Sequence, residues 1–347
     1  MLKADFTLHQ LQFKQPSGTS RGILKGKPTW ILRIWDSKNP HQFGIGECSP
    51  IEGLSTDPID KIDSKLSDLC NEINNHQLVN LSSFPCIKFG LETALLDLNN
   101  GSKRIICNTA FSNGIKSIKI NGLVWMSDKE SMANSISQKI KDGFDCIKLK
   151  IGAIHFNDEI DLISTIRKQF SSDQLEIRVD ANGAFKPKDA LSKIEKLAKF
   201  DIHSIEQPIQ PKLHKEMKEI CSKSEIHVAL DEELIHTPIT EANDVIEFIR
   251  PKYIILKPSL IGGIQHTKKW ISCAKKYNLG WWMTSALESN IGLNAIAQLT
   301  SQFSNNLPQG LGTGQIYTNN IPSFLELNKD KLSINHDLKW DYSSLFS

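Results

Sequence analysis

The sequence predicts an α/β protein: a (β/α)8-type barrel, a modified TIM barrel, with an α+β capping domain formed by the N-terminal region and the C-terminal tail. Three observations lead there. Asp180, Glu206, Asp231 and Lys257 each end a short apolar run, at steps of 26, 25 and 26 residues. A strand, a helix and two loops use about that much chain in a barrel that spends roughly 250 residues on eight units. From about residue 115 onward, short Val/Ile/Leu-rich runs alternate with helical periodicity, as strands covered on both faces require. Before that point the pattern is different, with the period-two alternation of antiparallel strands.

The chain has 347 residues, too many for one small core and enough for a barrel plus a smaller unit. The expected division is a capping domain over 1–110, the barrel over 111–315, and a segment over 316–347 that returns to the cap. Within the cap, Thr29-Trp-Ile-Leu-Arg-Ile-Trp35 alternates as a strand. Gly18, Gly22, Gly26 and Pro28 punctuate the stretch before it, which reads as a mobile hairpin loop. Arg21, Lys25 and Lys27 on that loop are candidates to meet an anionic group, though solvated charges are the plainer reading. Gly44-Ile-Gly-Glu-Cys-Ser-Pro50 reads as a second turn-rich segment. Ile87, Leu91, Ala94, Leu95 and Leu98 then fall at helical spacing after Pro85.

The barrel is expected to open with Ser117-Ile-Lys-Ile120, followed by a helix over about 128–142 and the strand Cys146-Ile-Lys-Leu-Lys-Ile151. Helices over about 157–170 and after Pro187, Pro211 and Pro238 alternate with the strands that end in Asp180, Glu206, Asp231 and Lys257. Gly262-Gly263 opens a further helix and is a candidate anion site, with simple turn geometry at least as good an explanation. Gly280-Trp-Trp-Met-Thr-Ser285 and Gln309-Gly-Leu-Gly312 supply the last two strands. Trp281 is expected in the core and Trp282 on the barrel exterior.

Composition excludes several classes. The net charge is +2, from 41 basic and 39 acidic residues, so no bulk field points to nucleic acid or an anionic membrane. Seven scattered cysteines without a Cys-x-x-Cys pair argue for reduced thiols in a cytoplasmic protein, against both a zinc site and a disulfide framework. No apolar run approaches spanning length.

Chemistry concentrates at the carboxyl ends of the barrel strands, which converge on one mouth. Asp180, Glu206 and Asp231 would repel one another there unless a cation stood between them. Carboxylates without nearby His or Cys favour Mg²⁺, with Mn²⁺ as a substitute, over zinc. Lys148 and Lys150 lie two apart and face the same interior. Burial and mutual repulsion favour their neutral amines, whereas the carboxylates favour the charged forms. Lys257 lies four strands on from that pair, so a reacting carbon between them has a lysine on each face. The ion would make a proton beside a carboxylate more acidic, and a lysine would remove it. Arg178, two before Asp180, would pair with a carboxylate or contact substrate. Asn182, Ser285 and Gly312 are the other substrate-side candidates, with Glu288 beside them. The run Gly310-Leu-Gly-Thr-Gly314 lacks the dinucleotide-loop spacing and suits close backbone approach to a substrate carboxylate.

These residues resemble the enolase superfamily in its muconate-lactonizing subgroup. The stretches that carry the resemblance are Phe89-Gly-Leu-Glu-Thr-Ala-Leu-Leu-Asp97, Ile147-Lys-Leu-Lys-Ile-Gly152, Arg178-Val-Asp-Ala-Asn182, Ile205-Glu-Gln-Pro208, Ala229-Leu-Asp-Glu232, Leu256-Lys-Pro-Ser259 and Ser285-Ala-Leu-Glu-Ser-Asn-Ile-Gly-Leu293. The resemblance implies a small carboxylate substrate and an enediolate formed through Lys150. It further implies loss of water from 2-succinyl-6-hydroxy-2,4-cyclohexadiene-1-carboxylate, a step of menaquinone biosynthesis. Lys257 would then be a fixed cation on the opposite face, and Lys148 would tune Lys150. Racemisation of N-acylamino acids and epimerisation of dipeptides are the alternatives. Dipeptide epimerases of the subgroup carry Asp-x-Asp at the eighth strand, where this chain has no acid, which disfavours the latter.

Overall fold

The computed structural model describes residues 1–19, 22–75, 80–152 and 154–346. Three antiparallel strands begin the chain: β1 (Leu2–Thr19), β2 (Gly22–Asp36) and β3 (Asn39–Cys48), in that order across the sheet. The segment expected as a loop is instead ladder. Pairing runs from Leu2 opposite Asp36 to Gln12 opposite Gly26, shifts register, and resumes from Ser17 opposite Leu24 to Thr19 opposite Gly22. Pro28 is tolerated because β3 pairs with β2 only from Trp30 onward. At Pro28, β2 is therefore an edge, where a missing N–H costs nothing. Arg21, one of the expected anion contacts, lies outside the described residues.

The second turn-rich segment is also strand, and its glycines have a packing reason. Helix α2 (Pro85–Asn99) lies so close on β3 that a Cβ at Gly46 would overlap the Gly90 carbonyl oxygen, and one at Gly44 would overlap that of Ala94. With α1 (Ile62–Asn74), this helix buries Leu66, Leu69, Ile87 and Ala94 against Trp30, Leu32 and Ile34 of the sheet.

The barrel strands are parallel: β5 (Gly122–Val124), β6 (Cys146–Lys150), β7 (Glu176–Asp180), β8 (Ser204–Glu206), β9 (His227–Leu230), β10 (Tyr253–Leu256) and β11 (Gly280–Met283). Among the described residues, single bridges from Ile120 to Gln309 and from Thr284 to Gly310 join the two edges. The expected opening strand over 117–120 is thus displaced. Its core forms β4 (Ile118–Lys119), which pairs with a C-terminal hairpin of β12 (Leu325–Asn328) and β13 (Lys331–Ile334). The eighth barrel position is held by bridges at 309–310 in place of a regular strand.

Helices α3 (Lys129–Lys141), α4 (Phe156–Gln169), α5 (Pro187–Ala198), α6 (His214–Lys223), α7 (Glu232–His236), α8 (Ala242–Ile249), α9 (Gly263–Lys276) and α10 (Asn290–Thr300) alternate with these strands. Ile147, Leu149 and Ile151 join the apolar layer of strand and helix residues such as Ile163 and Leu197, which leaves Lys148 and Lys150 to the opposite, interior face. In the tail, Trp340, Tyr342, Leu345 and Phe346 pack with Ile31, Phe43 and Ile45. Among the described residues no helix is long and apolar enough to cross a membrane.

Candidate active site

Strand register builds the site. Lys150 stands opposite Asp180, and Asp180 opposite Glu206, on three neighbouring strands. Asp231 and Lys257 follow the last residues of β9 and β10, so they emerge at the same end. Lys148, Asp180, Glu206, Asp231 and Lys257 are all buried. In an eight-position ring, β6 and β10 are four apart, which sets Lys150 and Lys257 across the mouth from each other.

The charges interlock. Lys148 Nζ donates to both Glu206 carboxylate oxygens, at 2.6 and 2.7 Å, and lies 2.8 Å from Asp180 Oδ2. Lys150 Nζ donates to the same Asp180 oxygen at 3.1 Å and to Asn182 Oδ1 at 2.6 Å. Lys257 donates to Asp231 Oδ2. Burial opposes charge on Lys148, but Asp180, Glu206 and Asp231 together outweigh it and hold the ammonium above its ordinary range. The same contest, settled by Asp231, Glu232 and Glu206, raises Lys257. Burial works against the Asp180 carboxylate too, yet Lys148, Lys150 and Lys257 keep it well below the usual range. Glu206 goes the other way: burial, then the neighbouring charge of Asp180, drives its proton affinity up. Of the two influences that oppose each other at Lys148, the carboxylates therefore win.

Each of the three carboxylates is paired with a lysine, and among the described residues no three Asp, Glu, His or Cys side chains already surround one point. The donor chemistry nevertheless suits a hard divalent ion. Every candidate ligand is a carboxylate oxygen, and Asp231 Oδ1 is buried without a hydrogen-bond partner among the described residues.

Several expected placements differ. Arg178 is directed away from the mouth, because its guanidinium donates to Glu176, the first residue of β7, at 2.7 Å and to the Pro308 carbonyl at 2.8 Å. Its Cζ lies 4.2 Å from the centre of the Trp282 ring. It braces the amino-terminal end of the barrel, where a substrate contact has no room. Trp282 is consequently interior, contrary to its expected exterior place, while Trp281 packs on Phe303 against the main core as expected. Nor is Lys27 solvated: it is buried, with its ammonium on the Ser49 hydroxyl and carbonyl. The candidate anion site at Gly262–Gly263 is taken by the Glu92 carboxylate, which accepts from the Ile264 and Gln265 N–H groups.

Ser285 is buried, its hydroxyl donating to Glu288 Oε2 and accepting from Thr313 at 2.7 Å. Burial raises the Glu288 carboxyl despite the nearby Lys27 charge and the hydroxyls of Ser259 and Ser285. Gly312 ends the 309–312 segment, and a Cβ there would meet Ile120 at an ordinary 3.4 Å, so packing does not demand glycine. Two further residues, Glu232 and Gln207, belong to the site without having been expected there. Asn182 Nδ2 donates to Glu232 Oε1 at 2.9 Å, and Gln207 Oε1 accepts from the Asp231 and Glu233 N–H groups. The acidic run Asp231-Glu-Glu233 is the available signal for Glu232; nothing local marks Gln207.

Residues 131–331 match the family described as Enolase C-terminal domain-like. An o-succinylbenzoate synthase from Desulfotalea psychrophila is 41% identical, over 96% of this chain and 99% of that protein. The crystal structure of MenC from the same organism superposes with a TM-score of 0.86 at 38% identity, covering 96% of this chain and 99% of that one. A dipeptide epimerase from Cytophaga hutchinsonii, solved with Mg and the dipeptide D-Ala-L-Val, gives a TM-score of 0.84 at 21% identity, over 99% and 98% of the two chains. At that identity it speaks to the fold alone. The chain belongs to the enolase superfamily and, within it, to the family of the o-succinylbenzoate synthases.

Proposed function

We propose that the chain is a divalent-metal-dependent lyase that dehydrates 2-succinyl-6-hydroxy-2,4-cyclohexadiene-1-carboxylate to 2-succinylbenzoate, in menaquinone biosynthesis. The observation that carries this reading is the pairing of 41% identity to an o-succinylbenzoate synthase over nearly the whole chain with two lysines facing each other over three carboxylates. In this reading residues 111–315 supply the barrel, and 1–110 with 316–347 supply the cap. A cytoplasmic setting suits its seven free cysteines.

Asp180, Glu206 and Asp231 would hold Mg²⁺, for which Mn²⁺ could substitute. When bound, that ion supplies positive charge that stabilises an enediolate. Lys150, as the neutral amine, takes the proton beside the substrate carboxylate. The electron pair left on carbon expels the adjacent hydroxyl as the ring becomes aromatic, and the Lys150 ammonium returns its proton so that water leaves. Lys257 remains charged on the opposite face and stabilises the developing negative charge. Lys148 holds Glu206 and Asp180 and orients Lys150 electrostatically. Ser285 and Gly312 line the substrate side of the mouth.

Purified protein should aromatise the cyclohexadiene substrate, lose that activity in EDTA and regain it with Mg²⁺. Lys150→Ala should lower kcat by at least about 10³-fold, within the range a general base supplies. Fast racemisation of N-succinylamino acids with only slow aromatisation would move the chain to the racemases, whose two-base chemistry uses the same lysine pair. The acid-free Gly310-Leu-Gly-Thr-Gly314 leaves a dipeptide ammonium without a partner.

A further inference from the structure

Asn182 sits between the base and a carboxylate that takes no part in the proton transfer. Its Oδ1 accepts from Lys150 Nζ at 2.6 Å, and its Nδ2 donates to Glu232 Oε1 at 2.9 Å. Its backbone is fixed, with a left-handed φ of 44° and an N–H that donates to Asp180 Oδ1 at 3.0 Å. One freedom of consequence remains, the half-turn of the amide, which exchanges oxygen for nitrogen. A carboxylate offers only acceptors, so Glu232 holds the amide nitrogen on its own side, which leaves Oδ1 to accept an N–H of Lys150 and keeps the lone pair of the neutral amine free for the substrate.

Glu232 is well placed to enforce that choice. It is buried, the first residue of α7, and the N–H groups on either side of it, of Asp231 and Glu233, are both held at 3.2 Å by Gln207 Oε1. Without this acceptor, the flipped amide would point N–H groups at the lysine that must approach the substrate.

We propose that Glu232 is a positioning residue: through the Asn182 amide it aims Lys150 at the substrate. This rests on the reading of Lys150 as the proton-abstracting base and extends it outward to a residue with no substrate contact. It also gives the Asp231-Glu232 pair two roles, the first residue toward the cation and the second toward the base.

The test uses full-length protein with Mg²⁺ and follows both turnover and Mg²⁺ affinity by calorimetry. Glu232→Leu should lower kcat by about 10- to 100-fold, the usual cost of losing an outer-shell partner, with KM and Mg²⁺ affinity unchanged. The more discriminating experiment reverses the hydrogen bond. Asn182→Asp sets two carboxylates face to face and should lose comparable activity. Adding Glu232→Gln restores a donor to the carboxylate introduced at position 182, while the other oxygen of that carboxylate still accepts from Lys150. The double variant should therefore recover to within about fivefold of wild type. A Glu232→Leu enzyme with wild-type kcat, a fall in Mg²⁺ affinity that accounts for the lost activity, or a double variant no better than Asn182→Asp would each overturn the proposal. Should Glu232→Leu fail to fold, the reversal pair decides alone. Failure of the functional reading looks different: wild type itself would not aromatise the substrate. In that case the variants are scored on whichever substrate loses its proton to Lys150.

Discussion

Arg178 and Asp180 share one face of one strand, yet they serve opposite ends of the barrel. Two residues along a strand amount to about 6–7 Å, enough to carry the arginine out of the mouth and onto Glu176, Pro308 and Trp282. Side-chain parity is readable from sequence, as Lys148 and Lys150 show; depth along the barrel is not, because it depends on where the strand sits relative to its neighbours. Trp282 departs from its expected exterior place for a related reason, since two adjacent aromatics carry no mark of which one is interior. The consequence for Arg178 is testable. Arg178→Met leaves the buried Pro308 carbonyl without this donor and removes the charge partner of the partly exposed Glu176, a cost of about 1–3 kcal/mol. Urea unfolding should show that loss while KM stays near the wild-type value. A large rise in KM with unchanged stability would return Arg178 to the substrate side.

At the level of elements, the barrel helices and the strands that carry the site are legible in the sequence, because each repeats a period and ends in a charged group. The hairpin of β1 and β2 is not. Glycine and proline are strong local punctuation, but a continuous antiparallel ladder overrides them when the proline falls where the strand has no second partner. The short α7 escapes a periodicity reading because five residues are too few to display a period. Helix α2 holds a further consequence of burial. Its Cys86 N–H donates to Asp57 Oδ1 at 3.0 Å, while Asp57 Oδ2 is buried without a hydrogen-bond partner among the described residues. Burial holds the Asp57 carboxyl up to about 6, against about 4 in an unfolded chain. A raised carboxyl favours the folded state while protonated. That contribution is complete below about pH 4 and is lost as the pH rises through about 6, amounting to something on the order of 2 kcal/mol. Denaturant midpoints from about pH 4.5 to 7.5 should thus fall more steeply for wild type than for Asp57→Asn. Parallel pH slopes in the two proteins would remove Asp57 from the account.

Across the whole molecule, the fold closes through one carboxylate that joins the antiparallel sheet to the barrel. Glu47, at the end of β3, accepts from Thr29 Oγ1 and the Ser289 N–H at 2.8 Å through one oxygen. Through the other it accepts from the Ser289 hydroxyl at 2.6 Å and the Gly292 N–H at 2.8 Å. It thereby caps α10 from outside the barrel, at the helix end where a negative charge is favourable. Leu11 and Phe13 of the hairpin pack nearby against Leu287 and Tyr317, so the sheet's position over the mouth depends on this junction. No sequence pattern could announce the contact, since its partners lie more than 240 positions apart. Glu47→Ala strands two buried N–H groups and two hydroxyls, a cost of about 3–5 kcal/mol that should lower Tm by roughly 5–10 °C. Because the cap shapes the mouth, KM for the substrate should rise as well, in contrast to Lys150→Ala, which should lose kcat at wild-type Tm. A Glu47→Ala protein with lowered Tm but unchanged KM would mean that the sheet keeps its place over the barrel by other contacts, and that Glu47 serves α10 alone.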